Sequence, residues 1–212
     1  MLKHVMRRGA IKPYCGYSLT ELLVACGLAS IVISAVATQA ARSHIAYSSI
    51  QHATSVEDDI GALQSTITQH LSKAGFVYSP NTLSPFGATT IENTVFEVTT
   101  GHRANEPENS CVTFSYDKNK DGVVSQAQGE FFGYRLHDNA IEYRVAGHSC
   151  IQRGWYDLTD TQTTVATKFM VNRRHSSSWG SAYEIEIELH SKVDPTVKSA
   201  RTFIVEAVNA YY

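Results

Sequence analysis

Two absences set the character of this sequence. No charged residue occurs between Leu22 and Ala41, and no proline between Tyr17 and Ala74. An uncharged stretch of that length argues against a simple cytosolic globule. It also draws down the charged share, 18% of 212 residues, against about 25% in a typical soluble domain. Cations are scarce as well: past Lys12 there is no dense Lys/Arg cluster, and the net charge is −2. Nucleic-acid binding through a broad basic face is therefore unsupported. H-E-x-x-H, G-x-S-x-G and Walker patterns are missing, and the nine histidines are scattered without ligand spacing, so no enzymatic activity is expected. No internal repeat or long linker occurs. Disorder is excluded in turn, because aromatic residues at 10%, with many Ile and Val, can build a core. The length allows one ordinary domain plus an appendage.

Residues 1–16 carry Lys3, Arg7, Arg8 and Lys12 and no acid. The apolar run that follows, at about 1.5 Å per helical residue, spans roughly 30 Å, the hydrocarbon thickness of a bilayer. Cations ahead of the run hold that end in the cytoplasm and send the rest outward. A secretory signal cut after Ala35-Val36-Ala37 is one alternative. It needs a leader longer than the usual ~15–30 residues and puts Glu21 at the edge of the apolar core. A lipoprotein signal fails because Cys15 follows Pro13 and Tyr14, where an apolar stretch should already lie. Cleavage ahead of the run fits better. Gly16-Tyr17-Ser18-Leu19-Thr20-Glu21-Leu22-Leu23-Val24-Ala25 resembles the class III signal of type IV prepilins and pseudopilins, with Tyr17 where the family usually has Phe. The resemblance implies that a prepilin peptidase cuts between Gly16 and Tyr17, N-methylates Tyr17 and leaves the helix attached. It also implies a partner for Glu21, the free amine of Tyr17 on a neighbouring subunit. A carboxylate in a membrane helix is costly enough to point to function by itself. The alternative is that Glu21 snorkels to the headgroups.

Past Ala41 the pattern turns amphipathic. Ile45, Ile50, Ala53, Val56, Ile60, Leu63, Ile67, Leu71 and Ala74 recur mostly at three- and four-residue steps, marking one buried helical face. Gly75-Phe76 predicts a left-handed helix cap followed by an apolar contact. The expectation is a single helix of about 58 residues, near 87 Å. Cys26, Ser30, Ser34 and Thr38 share one face of its membrane half, where small residues allow close helix approach in lipid. Cys26 is expected to stay unpaired, buried, and packed as a small residue. His44, His52 and His70 on the same helix are expected to be solvated or to pack.

The remainder reads as antiparallel sheet, with strands expected at 95–99, 111–116, 131–137, 140–145, 165–171, 183–190 and 201–208. Tyr183 to Leu189 alternates strictly, which buries one face and leaves Glu184, Glu186 and Glu188 in water. Asp138-Asn139 predicts a hairpin and Asp194-Pro195 the turn before the last strand. Residues 78–94 and 101–110 read as loops, and Trp155, Tyr156 and Trp179 as core or loop packing. Of the four cysteines, Cys15 leaves with the leader and Cys26 lies in the membrane. Cys111 and Cys150 are then expected to pair in an oxidising compartment. Asp117-x-Asn119-x-Asp121-Gly122, with Ser125 at the ninth position, places oxygens as a calcium loop does. Its twelfth residue is Gln128 and Glu130 falls two positions late, so a plain Asp/Asn/Gly turn competes with a weak calcium site.

The expected fold class is therefore α+β, a type IV pilin-like long N-terminal helix packed on an antiparallel β-sheet head. Its parts are a leader over 1–16, a membrane and assembly half over 17–41, an amphipathic half over 42–76 and a head over 77–212. Ala74-Gly75-Phe76 resembles the end of the long helix in PilW-like minor pilins, although Ser72 stands where that pattern has Arg. Cys111 to Asp117, with Gly133-Tyr134-Arg135-Leu136, is similar to their heads. The resemblance implies a minor pilin that primes assembly of a type IV pilus near its tip. It would start in the inner membrane with its C-terminus in the periplasm and finish at the cell surface. Its partners would be prepilin peptidase, the inner-membrane assembly platform, other major and minor pilins and, before assembly, membrane lipid. A minor pseudopilin of a type II secretion system shares the same start. A signal-anchored or released periplasmic binding domain is the third reading. None of them requires a cofactor, calcium in the Asp117 loop being the one candidate.

Overall fold

The computed structural model describes residues 16–78, 98–177 and 180–209. The leader through Cys15, most of the expected loop at 78–94, the first part of the expected strand at 95–99, and Trp179 lie outside them. The chain divides into two compact units, Met1–Tyr47 and Ser48–Tyr212.

In the first unit the described backbone is almost wholly helical, as the start of α1 (Leu19–Leu71). Among the described residues, α1 is the helix long and apolar enough to cross a membrane. Its large apolar side chains here, Leu22, Ile31 and Val36 among them, are exposed. The hydroxyls of Ser30, Ser34 and Thr38 donate to the carbonyls of Gly27, Ser30 and Ser34. The hydroxyls in this row of small residues are thus satisfied within the helix itself. Cys26 is a free thiol and is exposed in the single chain, not buried as expected.

In the second unit the remainder of α1 lies on two antiparallel sheets. One has the order β1 (Thr99–Gly101), β2 (Cys111–Ser115), β3 (Phe131–His137), β4 (Ala140–Tyr143), β5 (Tyr156–Asp157). The other has the order β6 (Thr164–Ser177), β7 (Gly180–Ser191), β8 (Lys198–Ala207). The helix contributes Val56, Ile60, Leu63, Ile67 and Leu71 to a core completed by Val112, Phe114 and Ile141 from the first sheet and Phe169, Ile185 and Leu189 from the second. Ile50 and Ala53 are exposed, against expectation. The sheets first reach the helix one turn later, where Glu57 accepts from Ser199 and Arg201, and Asp59 accepts from Thr164.

Regular α-helix stops at Leu71, short of the expected Ala74. A tighter turn follows, in which the Ala74 N–H donates to the Leu71 carbonyl at 3.0 Å. Gly75 takes the left-handed conformation (φ 78°) that the sequence predicts. Its N–H turns to the β2 carbonyl of Ser115 at 2.9 Å, which ties the helix end to the sheet. Asp138 and Asn139 both have positive φ, as a two-residue hairpin between β3 and β4 requires. β7 alternates buried with half-buried residues, so Glu184, Glu186 and Glu188 are less open to water than expected, Glu186 and Glu184 being paired to Lys168 and Arg174 at 2.6 Å. The strand limits differ elsewhere. Of the expected strand at 95–99, Thr99 opens β1, which runs on to Gly101, while 95–97 lie outside the described residues; β4 stops at Tyr143, and β5 was not expected. β6 runs on through polar Asn172 to Ser177 and β7 already starts at Gly180, because mutual pairing extends them where no apolar alternation signals a strand.

Candidate functional site

Three places carry the residues singled out by the sequence. At the helix start, Gly16 and Tyr17 are exposed and non-helical, and α1 begins two residues later at Leu19. Glu21 reaches back to the Ser18 N–H, its Oε2 accepting at 3.0 Å. Ser18 is the N-cap and Glu21 the third helical residue, so Ser18-Leu19-Thr20-Glu21 forms one arm of a capping box, S-x-x-E. That signal was legible in the sequence and unused there. Its carboxylate sits where the helix end carries partial positive charge.

The second place is the disulfide. Cys111 and Cys150 are joined, with Cα atoms 6.0 Å apart. Beside it, the fully buried Arg135 is held by a carboxylate, two carbonyls and a ring. Its Nε donates to Glu142 at 2.5 Å, and Nη1 donates to the carbonyls of Cys150 and Gln152 at 2.7 and 2.8 Å. The guanidinium carbon stands 4.5 Å from the Trp155 ring centroid. This satisfies a charge that would otherwise be costly to bury. Trp155 is core packing, as expected, whereas Tyr156 is exposed and stacks on Tyr143 at 5.8 Å. Nothing in the sequence marks Arg135 as interior, since a lone Arg in a strand usually faces water.

The third place is the loop from Asp117 to Glu130. Asp117 is buried, and four backbone N–H groups converge on it: Lys120 and Asp121 on Oδ1, Tyr78 and Gly122 on Oδ2. Gly122 has φ +85°, and a Cβ there would meet the Tyr78 carbonyl at 3.0 Å, so the position demands glycine. Asp121 accepts from Asn119 Nδ2, Val123 N–H and Gln128 Nε2 at 2.9 Å each, which holds its carboxyl below the ordinary carboxylate range. Glu130, fully buried, accepts from the N–H groups of Lys118, Asn119 and Ser125. Ser125, expected to supply an oxygen ligand, donates its backbone N–H to Glu130 at 2.9 Å. The oxygens of the motif thus act as hydrogen-bond acceptors for their own loop, and at Asp117, where each oxygen already accepts two N–H groups, a cation would have to displace donors. Beside the loop, His70 Nδ1 lies 2.5 Å from the Tyr134 hydroxyl. Burial, with Lys73 and Lys118 nearby, lowers the His70 pKa, and burial raises that of Tyr134.

A family model for prepilin peptidase-dependent protein B matches residues 49–207. The chain belongs to that family. The match begins after the apolar run, so it is independent of the Gly16–Glu21 motif, and the two together make the chain a prepilin-like protein. The chain is 22% identical over 197 residues to prepilin peptidase-dependent protein B of Escherichia coli (strain K12), across 92% of this chain and 96% of that one. No solved structure matches. The apolar start of α1 is consistent with an inner-membrane-anchored prepilin.

Proposed function

We propose that this prepilin-like protein is a minor pilin, cut between Gly16 and Tyr17 by prepilin peptidase, N-methylated at Tyr17, and used to prime a type IV pilus near its tip. The chain is a structural subunit with no catalytic role. The observation that carries the reading is the start of α1. An exposed, non-helical Gly16–Tyr17 segment stands immediately before a capped helix, and the cap lies wholly on the mature side of the cut. A peptidase needs backbone outside a helix, and processing would leave the helix start intact. Glu21 then has two alternative partners, the Ser18 N–H of its own chain and the Tyr17 amine of a neighbour. The full positive charge of an amine is the stronger partner in a low-dielectric setting. Exchange of one for the other would set axial register between subunits as they leave the inner membrane through the assembly platform.

Intact-mass analysis should find a chain that starts at Tyr17 and carries one methyl group. Retention of residues 1–16, or a start at Thr38, would refute the reading. Glu21→Ala should be cleaved and inserted normally but fail to enter pili. Glu21→Gln, which keeps the size and loses the charge, should be nearly as defective. Wild-type abundance of Glu21→Ala in sheared pili would make Glu21 a bystander. Co-purification with a type II secretion apparatus instead of pili would assign the pseudopilin alternative.

A further inference from the structure

A strand at the margin of a sheet leaves backbone donors and acceptors unpaired, and the margins of this head are not alike. In the five-stranded sheet the outer strands are short, three residues in β1 and two in β5. In the three-stranded sheet the outer side of β6 is tied to the neighbouring loops. Ala166 and Val171 there donate to the carbonyls of Asn139 and Asn109 at 2.8 and 2.9 Å. β8 is different. It pairs with β7 along its ten residues, Lys198–Ala207, without a register shift, and contains no proline. Shortness, bulges, proline and charge are the usual means of blunting such an edge.

The register fixes which groups of β8 face outward. The Ser191 N–H donates to the Val197 carbonyl at 2.9 Å, so Val197 belongs to the set bonded to β7. By alternation Ser199, Arg201, Phe203 and Val205 bond to Leu189, Ile187, Ile185 and Tyr183. The N–H and carbonyl groups of Ala200, Thr202, Ile204 and Glu206 then point away from β7, at a repeat of about 6.8 Å. Among the described residues no backbone hydrogen bond reaches them. All four residues are exposed, Ile204 at 62%, and the first three are uncharged. Charge at the two ends is mixed. Lys198 stands opposite His190 and shares a cleft with Glu57 and Asp58 of α1, Glu57 being taken up by Ser199 and Arg201. Glu206 shares another cleft with His175. On the inner face the half-buried Phe203 carries the core out to this same edge. Donors and acceptors alternating at this repeat match an extended polypeptide backbone.

We infer that β8 takes up an extended strand from a different prepilin-like chain, which adds a fourth strand to the β6–β7–β8 sheet and covers Ile204 and Phe203. A second copy does not suit the edge. Two β8 strands pair most simply antiparallel, about a dyad normal to the sheet, and that sets their α1 segments on the sheets in opposite senses. Chains anchored through the same helix in one membrane do not meet in that way. Among the described residues β8 is the one long open edge, so the contact adds one partner and does not repeat, as befits a subunit used in few copies. The class of partner rests on the pilin reading.

The test places the photo-crosslinking residue benzoylphenylalanine at Thr202 of the full chain, in host cells that make their own prepilins. Light should give an adduct whose second component, identified by peptide mass spectrometry, is another prepilin-like chain. Ala200→Pro/Ile204→Pro removes two outward N–H groups and no bond to β7, and should lower the adduct yield about tenfold or more. Ala200→Ser/Ile204→Thr keeps both N–H groups and should keep the adduct. If the proline variant does not melt as the wild type does, hydrogen exchange on the co-purified wild-type complex decides. The amides of Ala200, Thr202 and Ile204 should then exchange more slowly than in the free chain, with Arg201 and Phe203 slow in both. The proposal is overturned by no adduct, by an adduct with a second copy or with a protein that is not prepilin-like, or by an adduct that the folded proline variant keeps. Outward amides that exchange equally fast in complex and free chain overturn it too. Any of these in a chain still cut at Gly16 and found in pili leaves the pilin reading standing. A chain that never enters pili but still forms the adduct with a prepilin-like chain separates the two in the other direction.

Discussion

Removal of the disulfide by Cys111→Ala/Cys150→Ala tests the energetics of the head most directly. The bond spans a sequence separation of 39 residues, and closing a loop of that size is worth about 4 kcal/mol in the chain-entropy account. The folded state should change little. Cys111 stays registered against Arg135 in the β2–β3 ladder, and Arg135 still donates to the carbonyls of Cys150 and Gln152. The loss should therefore come almost entirely from a freer unfolded chain. For a domain of this size, about 2–4 °C of Tm accompanies each kcal/mol, so Tm should fall by about 8–16 °C. Thermal unfolding followed by far-ultraviolet circular dichroism gives the shift, and the near-ultraviolet spectrum reports the surroundings of Trp155 below the transition. A shift under about 3 °C, with the bond confirmed in wild-type chain by non-reducing peptide mapping, refutes the entropic assignment. Loss of the native aromatic spectrum at low temperature would show instead that the Arg135 anchor does not hold the loop unaided.

Asp117→Ala strands four N–H groups around a buried site and should cost about 3 kcal/mol in denaturant titration. Because those donors already occupy the Asp117 oxygens, wild-type Tm should be equal in chelator and in millimolar calcium. A rise in calcium that Asp117→Ala abolishes would establish the calcium site. His70, held below its ordinary value of 6.5 by burial and then by Lys73 and Lys118, gives a signed pH effect. As pH falls through about 6.5 the unfolded chain takes up a proton before the folded one, so stability is kept above that pH and lost below it. His70→Gln should shrink the Tm difference between about pH 7.5 and about pH 5.5, and an unchanged difference would locate the sensitivity elsewhere.

Much of the fold follows from local pattern. The helical face from Val56 to Leu71, the left-handed Gly75, the Asp138-Asn139 hairpin and the alternation of β7 are visible in the sequence because each depends on residues near in the chain. The Gly16–Glu21 motif and the Cys111–Cys150 pair are equally legible, the first from spacing and the second from compartment and count. Other features depend on what lies across the fold. Where the helix begins to be covered is set by Ser199, Arg201 and Thr164, residues more than a hundred positions from Glu57 and Asp59. Arg135 is interior only because Glu142, Trp155 and two loop carbonyls converge on it. Glu130, out of place for a calcium loop, turns out to gather three N–H groups of the turn. Sequence by itself determined the span-length apolar helix, the Gly16–Glu21 pattern, the buried face and the cysteine pair, since composition, periodicity and spacing express them. Tertiary structure alone decided which polar groups are buried and what they bond, because a buried charge or amide is stable only when distant segments bring it a partner.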